Sequence, residues 1–211
     1  MFKHFLRWVV HLALATSVFA AHAGIYEDYF RAIEIDDARA VRAALQRGFD
    51  PNTPDEHGQV GLFLAMRGGS FAAAGLLLAH PELRIDATNA HGETPLMMAA
   101  LRGHLDWVQR MLQRGAQVNR DGWTPLHYAA SGPSAATVGL LLDRGAAIDA
   151  RSPRGSTALM LAAQYGSEDA VQLLLERGAD VRVQDERGAT AADYARRAGR
   201  DKLAARLEPP R

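Results

Sequence analysis

The chain has no cysteine among its 211 residues. This excludes disulfide staples, thiol nucleophiles and thiolate metal ligands, and it suits an oxidising compartment, where a lone thiol invites cross-linking. It also lacks an excess of either charge, with 24 Lys and Arg against 24 Asp and Glu. No overall basic field therefore draws the protein onto phosphate. The Gly-x-Ser-x-Gly elbow, the phosphate-cradling glycine loop ending in Lys-Ser or Lys-Thr, and His-Glu-x-x-His are all missing. Without them the sequence offers no catalytic motif.

What is present is a repeat. Gly92-Glu93-Thr94-Pro95-Leu96-Met97-Met98-Ala99-Ala100, Gly122-Trp123-Thr124-Pro125-Leu126-His127-Tyr128-Ala129-Ala130 and Gly155-Ser156-Thr157-Ala158-Leu159-Met160-Leu161-Ala162-Ala163 are copies of one another. Gly58-Gln59-Val60-Gly61-Leu62-Phe63-Leu64-Ala65-Met66 is a weaker copy, and a reduced one opens at Gly188. The leading glycines are spaced 34, 30, 33 and 33 residues apart. Apolar helical stripes close on Arg47-Gly48, Arg114-Gly115, Arg144-Gly145 and Arg177-Gly178. Such a period implies a stack, and a stack normally serves as a binding surface.

Within one copy, Thr94 is predicted to cap a first helix, with Pro95 in the first turn, where a missing amide proton costs nothing. Leu105, Val108, Met111 and Leu112 then recur at helical spacing, and Gly115 is predicted to end the second helix in the left-handed conformation. Neither helix can bury its stripe alone, so stability must come from interfaces between units.

The paired Thr-Pro-Leu-His-like and Leu-Leu-x-x-Gly-Ala signatures resemble ankyrin repeats over roughly residues 25 to 207. The resemblance implies an all-α ankyrin-repeat solenoid of stacked helix-turn-helix units joined by β-hairpin-like loops. Its expected organisation is one domain over 24–207: a capping repeat at 25–54, repeats at about 55–88, 89–118, 119–151 and 152–184, and a capping unit at 185–207, with a tail at 208–211.

The first 23 residues belong to another class. Lys3 and Arg7 precede an apolar core of 12 residues from Trp8 to Phe19, and Ala21-His22-Ala23 offers a small-x-small cleavage pattern before Gly24. This resembles a secretory signal peptide. An uncleaved anchor and an ordinary amphipathic helix are the alternatives, but the core falls short of the ~20 residues a spanning helix needs. Cleavage after Ala23 would leave two more acidic than basic side chains and a periplasmic or secreted protein.

The resemblance implies contacts at the positions flanking each motif glycine: His57, Gln59, His91, Glu93, Asp121, Trp123, Arg154, Ser156 and Arg187. Positions after the double alanine add Leu101, Arg102, Gln164 and Tyr165. Trp123 stands out, because an indole buried at an interface contributes about 2 kcal/mol or more. Its alternative is burial against the next hairpin. The shortened spacing before Trp123 predicts a tighter hairpin at Asp121-Gly122 and a notch in the row of tips. Val60-Gly61 replaces Thr-Pro, so that unit is expected to lack a cap and to open before its neighbours.

Other candidates have structural readings. His57 and His91 fall on equivalent positions of adjacent units, on the order of 10 Å apart, whereas zinc holds its ligands at about 2 Å. No metal and no cofactor are expected. By resemblance, His127 hydrogen-bonds around the Thr-Pro turn. The arginines before the closing glycines suit the helix dipole, and Arg196, Arg197, Arg200 and Lys202 read as a solvated end face.

The function implied is that of an exported, non-enzymatic module, monomeric, that binds another protein through its concave face and hairpin tips. It would use neither nucleic acid nor stable membrane insertion. Support of catalase and peroxide defence, seen among exported bacterial ankyrin proteins, and a secreted effector role are the alternatives. A hydrolase or metal-dependent enzyme is a more distant one.

Overall fold

The computed structural model describes residues 24–208; the leader expected over 1–23 lies outside them, as does nearly all of the tail. Among the described residues the chain forms twelve helices and no strand. After α1 at 24–34 come α2 (Ala38–Gln46), α3 (Gly61–Gly68), α4 (Phe71–Ala79), α5 (Pro95–Leu101), α6 (Leu105–Gln113), α7 (Pro125–Ser131), α8 (Ala135–Asp143), α9 (Ala158–Gln164), α10 (Glu168–Glu176), α11 (Ala191–Arg197) and α12 (Asp201–Leu207). The fold is an all-α repeat solenoid. A single antiparallel bridge, Pro54 with Val60, is the nearest approach to a sheet among the described residues.

The helices start where the sequence supplies caps. The Oγ1 atoms of Thr94, Thr124 and Thr157 accept the backbone N–H three residues on, at 3.2, 3.4 and 3.4 Å. Each return bond runs from the cap's own N–H: to Met97 Sδ, His127 Nδ1, Met160 Sδ and, from Thr190, to Asp193 Oδ2. A cap of this kind contributes about 1 kcal/mol. At the far end of α6, Gly115 takes a φ of 95°, which a side chain would resist.

Consecutive units pair helix with helix. The first helices α3, α5, α7, α9 and α11 contact one another in order, while α2 meets α4, α6 meets α8 and α8 meets α10 in a second row. The inner row is buried nearly all round: every residue from Pro95 to Ala100 and from Ala158 to Ala163 is buried. Second helices bury only a stripe, as in α6, where Trp107, Val108 and Met111 face inward. Trp107 was not part of the apolar pattern read from the sequence. It is held by stacking on Phe71, ring centroids 5.5 Å apart, and by the Arg110 guanidinium over its ring, 4.8 Å from the centroid.

Polar side chains clasp each unit to its neighbour. Asn52 donates to the Glu82 carbonyl and accepts the Arg84 N–H, at 2.9 and 2.7 Å. Asp86 accepts from Gln117 N–H, Asn119 takes both roles with Gly145 and Ala147, and Asp149 accepts from Asp180 N–H. Asp36 performs a related task at φ 56°, its carboxylate accepting from Ala72 and Ala73 N–H at the start of α4.

One expectation needs correction. Arg200 does not belong to a solvated face: its Nη1 donates to the carbonyls of Ala162, Ala163 and Gly166 at 3.0–3.1 Å, closing the end of α9. Arg114 similarly reaches the carbonyls of Leu78 and His80, and Arg177 pairs with Asp143 at 2.7 Å. The helix-dipole reading of the arginine row thus extends to cross-unit contacts. As expected, α3 lacks a side-chain cap at Val60, and Gly61 is there for space. A Cβ on it would stand 2.6 Å from the Tyr29 hydroxyl and 2.7 Å from Ile33 Cδ1. The first unit thus packs Tyr29, fully buried, directly against the backbone of α3.

Candidate functional site

A groove of about 770 Å³ opens between the fingers and first helices of the last three units. Trp123 stands at one margin, edge-on to His127 and Tyr128 at 5.5 and 6.2 Å, and is 38% exposed. The two alternatives for it, exposure and burial against the neighbouring finger, are therefore both partly realised: one edge packs and the other faces the groove. Tyr165, the C-cap of α9, projects on the helical side and is 65% exposed.

The groove wall is held by its own hydrogen bonds. Arg151 Nη2 donates to the Gln184 carbonyl at 2.5 Å, and Glu186 N–H donates to the Arg154 carbonyl at 3.1 Å. These bonds fix adjacent fingers relative to each other, so little ordering remains to be done when something enters. At the floor, the Tyr194 hydroxyl lies 2.8 Å from the Ser156 hydroxyl and donates to Asp185 at 2.9 Å. Burial raises the Tyr194 pKa, as does the neighbouring carboxylate. Burial pushes Asp185 the other way from its hydrogen bonds, but the N–H groups of Ala189 and Arg187, the Tyr194 hydroxyl and the Arg197 charge together keep it below the usual carboxylate range.

Of the residues read from the sequence as contacts, the groove gathers Trp123, Arg154, Ser156, Gln164, Tyr165 and Arg187. His57 and His91 stand exposed on earlier fingers, with their backbone N–H groups donating to Asp55 and Asn89. Gln59 accepts from Arg67 at 2.6 Å, Leu101 packs half-buried on the core, and Arg102 and Asp121 are exposed outside the groove. Ser156 departs from expectation. It is buried, its hydroxyl taken by Tyr194 and its carbonyl by His127. Glu93 is likewise occupied, accepting from Tyr128 Oη and Asn89 Nδ2 at 2.7 Å each.

Both departures have one cause. Glu93 and Ser156 each follow a motif glycine, and Tyr128 and Tyr194 each stand six residues after the next such glycine. The tyrosine reaches back across the stack and claims the side chain at that position. Trp123 also follows a motif glycine, but the residue standing where such a tyrosine would be is Leu161, which has no hydroxyl to offer. This leaves the indole free to line the groove. Pattern reading missed Asp185, Tyr194 and Arg197, although the shared position of the two tyrosines was visible.

The finger before Trp123 is not the tight hairpin expected. The other fingers close with a bond across the tip, from Asp55 to Gln59, Asn89 to Glu93, Ser152 to Ser156 and Asp185 to Ala189. Among the described residues no such bond forms between Asn119 and Trp123, and residues 121–123 make an open bend. Gly122 keeps the left-handed conformation of the other tip glycines, so what the shortening removes is the residue that pairs across the tip in the other fingers. Asn119, which counts as a tip residue by its distance from Gly122, instead takes the clasp role of Asn52.

The model of the family described as Ankyrin repeats (3 copies) matches residues 30–121, 62–152, 110–185 and 134–207. The chain belongs to the ankyrin-repeat family. Ankyrin repeats generally mediate protein–protein interaction and typically form non-enzymatic scaffolds. Relatives include Ankyrin repeat and SAM domain-containing protein 6 of Mus musculus, 33% identical over 115 residues, which cover 53% of this chain and 13% of that protein. The Putative palmitoyltransferase ZDHHC13 of Danio rerio is 31% identical over 124 residues, 56% of this chain and 19% of the relative. NF-kappa-B inhibitor alpha of Sus scrofa is 32% identical over 93 residues, 42% of this chain and 30% of the relative. The chain thus spans less than a third of each of these proteins. Their likeness lies in the ankyrin scaffold.

His127 shows how the ankyrin motif is used here. Its Nδ1 accepts the Thr124 N–H at 3.1 Å, so the ring proton sits on Nε2 and is donated to the Ser156 carbonyl at 3.0 Å. Burial keeps its pKa below the ordinary value against the pull of the carbonyls. No cluster of three or more His, Asp or Glu side chains is placed to hold a metal among the described residues. No described helix is long and apolar enough to cross a membrane.

Proposed function

We propose that the chain is an exported, non-enzymatic ankyrin module that binds another protein as a monomer, through the groove over its last three units. The observation that carries this reading is the meeting of Trp123, Tyr165, Arg154 and Arg187 around one pre-formed groove. Aromatic and arginine side chains are the commonest anchors of protein interfaces. Export rests on the charged start, short apolar core and Ala21-His22-Ala23 site of the leader.

A photo-crosslinking side chain at position 123, compared with one at exposed Gln109 on the opposite row, tests the binding face. A discrete protein adduct from position 123 alone is expected; equal adducts from both positions, or none, overturn the reading. N-terminal sequencing of the mature protein tests export. A chain beginning at Gly24 is expected, and a retained Met1 in the cytoplasmic fraction refutes it.

A further inference from the structure

The groove's charge is unlike that of the chain. Arg154, Arg187 and Arg197 are exposed around it, whereas Glu186 is its one exposed carboxylate, because Asp185 is buried and already accepts from two backbone N–H groups and Tyr194. The arginines that pair with acidic side chains across the described residues are others, such as Arg177, Arg182, Arg196 and Arg206. A chain of balanced charge thus gathers three guanidinium groups outside the ion pairs, against the two carboxylates of Asp185 and Glu186, where its exposed indole and phenol also stand. Their fork of donors matches carboxylate oxygens in pairs.

We infer that the groove takes an acidic linear segment of the partner protein, with Asp or Glu carboxylates on Arg154, Arg187 and Arg197 and one large apolar side chain between Trp123 and Tyr165. The open bend at 121–123 gives that segment its exit, since the bond that closes the other fingers is absent there. Basic segments are disfavoured by like charge. A neutral apolar segment would satisfy the aromatic margin and leave the guanidinium groups unmatched. This inference deepens the binding-module reading and rests on it.

Fluorescence polarisation with labelled synthetic peptides tests it. The probes are an Asp/Glu-rich peptide with one central Phe, the same peptide with Ser for Phe, its Lys-rich counterpart, and an oligothymidylate of equal negative charge. The acidic Phe peptide is expected to bind best, more weakly as salt approaches about 0.5 M, where screening is strong. Each of Arg154→Gln, Arg187→Gln and Arg197→Gln should weaken it by up to about fivefold, and the triple variant by more than about tenfold. Trp123→Ala should cost about 30-fold, and Arg39→Gln, outside the groove, nothing. Equal binding of the Lys-rich peptide or the oligothymidylate, or indifference to the triple variant, overturns the inference. Should no peptide bind while position 123 still crosslinks a protein, the acidic-segment inference falls and the module reading stands. Absence of both falls on the module itself.

Discussion

The Nε2–H of His127 donates to the carbonyl oxygen of Ser156 at 3.0 Å, so the helix of one unit hangs on the finger of the next. Met97 and Met160 occupy the same motif position and return a bond to their caps through sulfur, without any such reach. His127 therefore does two jobs where methionine does one.

Replacing it separates them. His127→Met should keep the cap contact and lose the bridge, costing about 0.5–1.5 kcal/mol, because the Ser156 carbonyl loses its second donor while keeping the Ser152 N–H. His127→Ala, which also leaves a cavity, should cost more. Urea unfolding measures both, and a His127→Met variant as stable as the wild type would show that the bridge contributes nothing.

The same residue makes stability depend on pH. Burial holds the folded imidazole below the ordinary value, whereas in the unfolded chain it titrates near about 6.5. Unfolding therefore takes up a proton as the pH drops. The stability should be complete above that value, decline as pH falls through it, and level off below the depressed folded value. His104, lowered mainly by burial as well, adds in the same direction. The difference in urea midpoint between the wild type and His127→Met, followed from pH 8 to 5, isolates His127; parallel curves would refute the assignment.

Gly61 predicts the failure of an obvious repair. Restoring the motif with Gly61→Pro, or merely adding a methyl with Gly61→Ala, should destabilise by about 1–3 kcal/mol through crowding against Tyr29 and Ile33. Val60→Thr, which adds the absent cap without touching that contact, should stabilise by up to about 1 kcal/mol. Thermal melting of the single variants distinguishes the two, and a stabilising Gly61→Pro would contradict the packing argument.

Asp36 offers a remote cap. Asp36→Ala removes the acceptor for Ala72 and Ala73 N–H and leaves alanine at positive φ, so a loss of about 1–2 kcal/mol is expected. Asp36→Asn, which tolerates that backbone and keeps an oxygen, should lose less. Hydrogen exchange in α4 should rise in the alanine variant and stay near wild type in the asparagine one.

Much of this was legible in the sequence because it follows local rules. Thr94, Thr124 and Thr157 cap as their spacing implied, Gly115 ends α6 in the left-handed region, and His127 serves the turn. Contacts that depend on how units stack were less visible. The distance from Gly122 places Asn119 at a tip, and only the fold shows it displaced into a clasp. Ser156 and Glu93 looked available because nothing local reveals that a tyrosine 35 or more residues away takes them. Arg200 looked like surface charge for the same reason, since the carbonyls it binds lie one unit back. The Trp123 finger was read correctly as short, but a residue count does not say which part of a hairpin has gone.

The clasps of Asn52, Asp86, Asn119 and Asp149 reach one neighbour and no further. Under tension applied to its two ends, such an array has no girder running its length to share the load. Each rung must yield separately, and the molecule would lengthen in steps, like a spring releasing one coil at a time.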